Sequence, residues 1–83
     1  MVKVGDVVHR IIVESGLSAP DVSRRAGRSR TWATTVGDPK RDPSLSTVAR
    51  VADACGYRVA VLDDAGREVL SVEPPREEGP VGQ

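Results

Sequence analysis

A single cysteine among 83 residues rules out an internal disulfide, and the chain has no cysteine and histidine spacing of the zinc-binding kind. No apolar run approaches the roughly 20 residues of a membrane-spanning helix. The first residues also lack the layout of a secretion signal, so a soluble, cytoplasmic protein with no membrane partner is expected. Aspartates and glutamates are scattered, without the paired-carboxylate or metal-ligand spacing that hydrolases need. His9 falls on the polar side of the first apolar-periodic segment, and Cys55 stands in line with apolar positions, so neither has a partner base. No catalytic residue, metal or cofactor is expected, and the chain is not read as an enzyme. No internal repeat is present. Its length makes one small domain that buries a modest share of its surface, a deficit that dimerisation would remedy.

Net charge is also absent, but the zero is a sum of two unlike halves. Between Arg24 and Arg41 the cations Arg24, Arg25, Arg28, Arg30, Lys40 and Arg41 face Asp38 alone. Between Asp63 and Glu78 the balance reverses, with Asp63, Asp64, Glu68, Glu73, Glu77 and Glu78 against Arg67 and Arg76. A polyanion would be drawn to the first segment and repelled by the second.

The basic segment coincides with the best-defined local signals. Ser18 is a good N-cap, Pro20 is tolerated in a first turn because it lacks an N–H, and Asp21 completes a Ser-x-x-Asp capping pattern. A helix is therefore expected from about Ala19, with Val22 and Ala26 on its apolar stripe. Gly27 supplies the positive backbone angle that ends such a helix, and Ser29 is expected to cap the next one, running to Val36 with Ala33 and Val36 inward. Arg30, Thr31, Thr34 and Thr35 are left outward. Two short helices around a glycine hinge, the second presenting polar side chains, are the sequence form of a helix-turn-helix, which lays its second helix in the DNA major groove.

Two further helices flank this unit. Val4, Val8 and Ile11, with Val7 and Ile12 beside them, form a helical stripe in residues 3–15 that Gly16 ends, with Leu17 as a core contact. A loop of breakers, Gly37-Asp38-Pro39-Lys40-Arg41-Asp42-Pro43, precedes Ser44, which can cap a helix carrying Leu45, Val48, Val51, Ala52 and Cys55 up to Gly56. The expected core is Val8, Ile11, Leu17, Val22, Ala26, Ala33, Val36, Leu45, Val48, Val51, Ala52 and Cys55.

Periodicity then switches to alternation. Tyr57, Val59 and Val61 share one face, Asp63-Asp64-Ala65-Gly66 makes a turn, and Arg67 to Val72 returns as a second strand. Pairing Leu62 with Arg67 sets Tyr57 opposite Val72 and Val59 opposite Leu70. An isolated hairpin is marginal in water, so its apolar face or its edge needs the helical body or a second subunit. From Glu73 the chain is proline- and glutamate-rich, and a disordered tail is expected over 73–83. The expected architecture is mainly α: a compact four-helix domain over 1–57, a β-hairpin over 58–72 as a dimerisation element, and the tail.

With these elements in place the chain resembles the Cro/C1-type (Xre-like) helix-turn-helix family. The pattern runs without gaps over roughly residues 4–57, from Gly16-Leu17-Ser18 through Gly27 and Ser29 to Pro43-Ser44-Leu45 and Gly56. The resemblance implies Arg30, Thr31 and Thr35 as base readers, Thr34 as an additional groove contact, and Lys40 and Arg41 as a phosphate clamp. The chain departs from the family at Ala19, where glutamine is usual; at Arg28, where a hydrophobic residue is usual; and at Gly37-Asp38-Pro39, where Glu-x-Gly is usual. The strand after the fourth helix resembles the DNA-binding antitoxins of Hip-type toxin-antitoxin operons, in which a C-terminal strand pairs across a dimer. Such a dimer would set two reading helices about 34–36 Å apart on a palindromic operator.

The function expected is that of a sequence-specific, dimeric transcriptional repressor binding double-stranded DNA through Arg28, Ser29, Arg30, Thr31, Trp32, Thr34, Thr35, Lys40 and Arg41. Arg30 is expected to contact guanine bidentately, with Thr31 and Thr35 on base edges. Arg24, Arg25 and Arg28 would attract phosphates without reading bases, and Trp32 would pack partly beside Val36 at the DNA edge. One alternative is an antitoxin that also grips a toxin. Another is a protein-interaction module that no longer binds DNA, motivated by Ala19 and by the loop after Gly37.

Overall fold

Serine hydroxyls and glycine turns set the helix boundaries in the computed structural model, which describes residues 1–75. A 3-10 turn, Val4–Asp6, leads into α1, Val7–Ser15, so the helix expected over 3–15 begins in earnest only at Val7. Helix α2 spans Ala19–Arg25, α3 Trp32–Val36 and α4 Leu45–Ala54. As expected, the Ser18 hydroxyl accepts from the Asp21 N–H (3.2 Å) and the Ser44 hydroxyl from the Thr47 N–H (3.1 Å). Helices α2 and α4 end alike. Gly27, at φ +72°, donates to the Arg24 carbonyl, and the Arg28 N–H reaches back to Ser23 (2.9 Å); Gly56 and Tyr57 make the matching bonds to Asp53 and Ala52. Each pair is a complete Schellman motif, which only a residue tolerant of the left-handed conformation closes without strain.

Helix α4 packs on α1 and α2, and α2 on α3. Val8, Val22 and Val51 are fully buried at the centre, joined by Ile12, Ala33 and Ala54, with Ala49 and Ala52 also buried. Each buried valine contributes about 1.5–3 kcal/mol, and the alanines let the helices approach closely. Leu17, Ala26, Val36, Val48 and Cys55 pack half-buried on this cluster, as does Ile11; Ile12 takes the inner place expected of Ile11. Leu45 is a correction: it is 59% exposed, because it opens α4 next to the breaker loop, and the helix becomes partly covered at Thr47 and Val48 and fully buried only from Ala49.

The hairpin forms from β1, Val59–Leu62, and β2, Glu68–Val72, in antiparallel register. Its register corrects the expected one. Val59 faces Val72 and Val61 faces Leu70, while Leu62 faces Glu68 across a bulge. Asp63, not Leu62, closes the turn with Arg67: its N–H donates to the Arg67 carbonyl, and its carboxylate accepts from the Ala65 and Arg67 N–H groups, each at 2.9 Å. Tyr57 lies outside the strand, since its N–H completes the α4 cap and its hydroxyl donates to the Glu14 carbonyl (3.0 Å) at the end of α1. Glu73 to Pro75 have no regular structure, and the rest of the tail expected to be disordered lies outside the described residues.

Candidate nucleic-acid interface

The segment from Ala26 to Trp32 decides how α3 is presented. Once the Schellman motif has turned the chain at Gly27, the Trp32 N–H donates to the Ser29 carbonyl (3.0 Å), so Ser29 to Thr31 form a tight turn and not the first turn of a helix. The helix expected from Ser29 therefore begins at Trp32 and is five residues long. Ser29 makes no side-chain cap on it; Thr31 holds the N-cap position, also without a side-chain bond. The capping oxygen comes from another element. Ser23, completely buried in α2, accepts from the Ala33 N–H at 2.8 Å. This bond satisfies a donor at the start of α3 and ties the two helices together through the core.

On this frame Arg28, Ser29, Arg30, Thr31, Thr34 and Thr35 are all exposed, while Ala33 is buried beneath them. Trp32 is half-buried against the core, with Val36 packed on the same cluster. The expected contact residues do not gather at one point. Arg28 and Arg30 line an open cleft with Arg24 and Pro20 of α2. Thr34 borders a separate groove with Ala19 of α2, His9 of α1 and Asp38 of the following loop. Arg41 lines a third recess, with Val36, Ser44 and Thr47.

The loop carrying Lys40 and Arg41 has its own supports. Its start is joined to α3 by the Asp38 N–H on the Thr35 carbonyl (3.3 Å). Asp38 then folds it, its carboxylate accepting from the Lys40 N–H and its carbonyl from the Arg41 N–H, both at 2.9 Å. Opposite stands Gly5, where a Cβ would overlap the Pro39 carbonyl oxygen and come within 3.4 Å of the Arg41 carbonyl oxygen. Lys40 and Arg41 are both exposed on this braced loop.

Two supporting residues escape a reading by periodicity. Ser23 sits next to Val22 and looks like the polar flank of α2, although it is buried. Gly5 lies within the first apolar-periodic segment, although it admits the loop. Arg24, expected to attract phosphates, is bonded to Asp21 (2.7 Å) and walls the first cleft. Among the described residues no group of three or more histidine, cysteine, aspartate or glutamate side chains is placed to hold a metal, and no helix is long and apolar enough to cross a membrane.

A solved structure described as the hypothetical transcription factor NHTF from Neisseria shares this arrangement, with a TM-score of 0.53 and 24% sequence identity over 66% of this chain and 68% of that one. The likeness is one of fold: a helix-rich, helix-turn-helix-like domain. No protein-family model matches the chain, and no curated protein does.

Proposed function

We propose that the chain is a sequence-specific DNA-binding transcriptional regulator, acting as a homodimeric repressor on a palindromic operator. The observation that carries this reading is the α2–turn–α3 unit: its inner side is locked to the core by the Ser23–Ala33 bond, and its outer side is polar and exposed. In this reading the segment from Ser29 to Val36 enters the major groove, with Thr31, Thr34 and Thr35 at base edges and Ser29 and the Trp32 rim beside them. Arg28, Lys40 and Arg41 meet phosphates on either side, and Arg30, next to Thr31, reads a guanine edge. Residues 1–57 read DNA and residues 58–72 pair two copies.

Support for pairing comes from the hairpin, whose register puts Val59, Val61, Leu70 and Val72 on one face with Val61 and Leu70 each 50% exposed. A two-stranded sheet gains independent stability only when such a face is covered. The antitoxin reading places a toxin on that same surface. Selection of binding sites from random duplex DNA by the purified chain tests the main proposal. Enrichment of an inverted repeat with half-sites about one helical turn apart is the expected result. Failure to enrich any sequence, together with no retention of duplex at low salt, would leave the protein-interaction reading instead.

A further inference from the structure

The apolar face of the hairpin does not end at the sheet. Val59, which opens β1, shares that face with Val61, Leu70 and Val72, and it also lines a groove of about 340 Å³ between α1, α4 and the foot of the hairpin. Half-buried Ile11 of α1 and buried Ala52 of α4 give this groove its other apolar residues, and Arg10 and Arg58 border it. Its walls are held in place. The Tyr57 hydroxyl, bonded to the Glu14 carbonyl at 3.0 Å, ties the link between α4 and β1 to the end of α1, and Glu14 holds Arg10 at 2.9 Å. Because side chains two residues apart on a strand point the same way, the groove and the outer hairpin face look to the same side. Through Val59 they form one continuous apolar surface, from which Val61 and Leu70, each 50% exposed, project.

Charge gives this surface a direction. At its foot the side chains of Arg10 and Arg58 are 61% and 69% exposed. At its far end the turn carries Asp63 and Asp64 against Arg67, with Asp64 exposed. Strand geometry puts Asp64 about 20 Å from Arg58, too far for the basic foot and the acidic tip of one chain to meet. Two chains laid antiparallel, face on face about a two-fold axis, bring each tip to the other's foot.

We propose that the occupant of this surface is the hairpin of a second copy, packed face to face so that Val61 and Leu70 of both copies meet and each Asp64 lies beside the other copy's Arg10 and Arg58. Resting on the two-copy reading above, this contact adds to it which side of the hairpin pairs and what fixes its direction. It is isologous, so every charge contact occurs twice. Val69, on the opposite side of β2 and 62% exposed, takes no part.

Sedimentation equilibrium of the full chain measures the dimer constant, with far-ultraviolet circular dichroism to confirm that each variant is folded. L70D is expected to give monomers at micromolar concentration. V69D, more exposed but on the other side, should stay within about twofold of wild type. D64R and R10E should each weaken the dimer about tenfold, since two rim contacts turn repulsive, and D64R/R10E should dimerise more tightly than either single variant. The face-to-face contact is overturned if V69D dissociates the chains as fully as L70D. It is equally overturned if L70D dissociates them while D64R and R10E have no effect or add independently; pairing through the hairpin would then stand without this geometry. A wild-type chain that stays monomeric up to millimolar concentration would remove the two-copy reading itself, and this contact with it.

Discussion

Replacing Ser23 with alanine isolates the bond that holds α3 in place. The hydroxyl oxygen is fully buried and sits 2.8 Å from the Ala33 nitrogen, inside a core where Ala33 itself is 1% exposed. Alanine fits the space, so the change adds no bulk; what it leaves is a buried N–H without an acceptor. That penalty is about 1–3 kcal/mol. For a domain of this size 1 kcal/mol shifts the melting temperature by about 4–8 °C, so a mid-range loss of about 2 kcal/mol should lower it by about 8–16 °C. Thermal melts followed by circular dichroism measure this, with urea titration as the second probe. Ser29→Ala is the matched control. Sequence pattern gives Ser29 the capping role, yet its side chain caps nothing in the structure, so its removal should stay within about 0.5 kcal/mol of wild type. Equal melting temperatures for wild type and Ser23→Ala, or a larger loss from Ser29→Ala, would refute the assignment of the cap to α2.

Two glycine substitutions should fail for opposite reasons. Gly27→Ala meets nothing within 4 Å but places a side chain at φ +72°, so it should cost about 1–2 kcal/mol of backbone strain, read from urea unfolding, without moving any neighbour. Gly5→Ala has no such strain but collides with the backbone at Pro39. It should cost about 1–3 kcal/mol and speed amide exchange at Lys40 and Arg41 in particular, whereas Gly27→Ala should not. Leu70→Asp, on the exposed hairpin face, should reduce the sedimentation mass from two chains to one at micromolar concentration while leaving helical circular dichroism intact; an unchanged mass would move the pairing surface elsewhere.

The helices were legible wherever the information was local. Ser18 and Ser44 cap the nearest free N–H, Gly27 and Gly56 reverse the chain immediately after, and each such signal is complete within a few residues of sequence. Information carried between elements was not. Ser29 follows the hinge glycine at the spacing of a cap, but the Arg28 N–H is committed to Ser23 and the Trp32 N–H to the Ser29 carbonyl. The chain therefore enters α3 by a tight turn, and the cap is delivered from ten residues upstream. Gly5 is a similar case, because nothing near it in sequence says that a loop beyond residue 37 will lean on it. The site inherits this split. The residues that point outward follow from the helical period, whereas their grouping into separate clefts depends on where α2 and the loop come to rest.

The hairpin shows why a wrong register can still yield the right surface. Asp63 takes the closing position that pairing Leu62 with Arg67 would have filled, because its carboxylate can satisfy two turn N–H groups at once; that slips the strands by one residue. The bulge opposite Leu62 adds a second residue of slip. One residue alone would have turned every apolar side chain of β2 to the other face, but two restore the original parity. Val59, Val61, Leu70 and Val72 thus share a face in either register, and only their partners change. The shared face therefore depends on the parity of the slip, and the individual pairings depend on the turn and the bulge. A substitution that shortened the slip to one residue, such as removal of the Asp63 carboxylate with the bulge kept, would set Val61 and Leu70 on opposite sides and should abolish pairing of the chains even though no apolar residue had been altered.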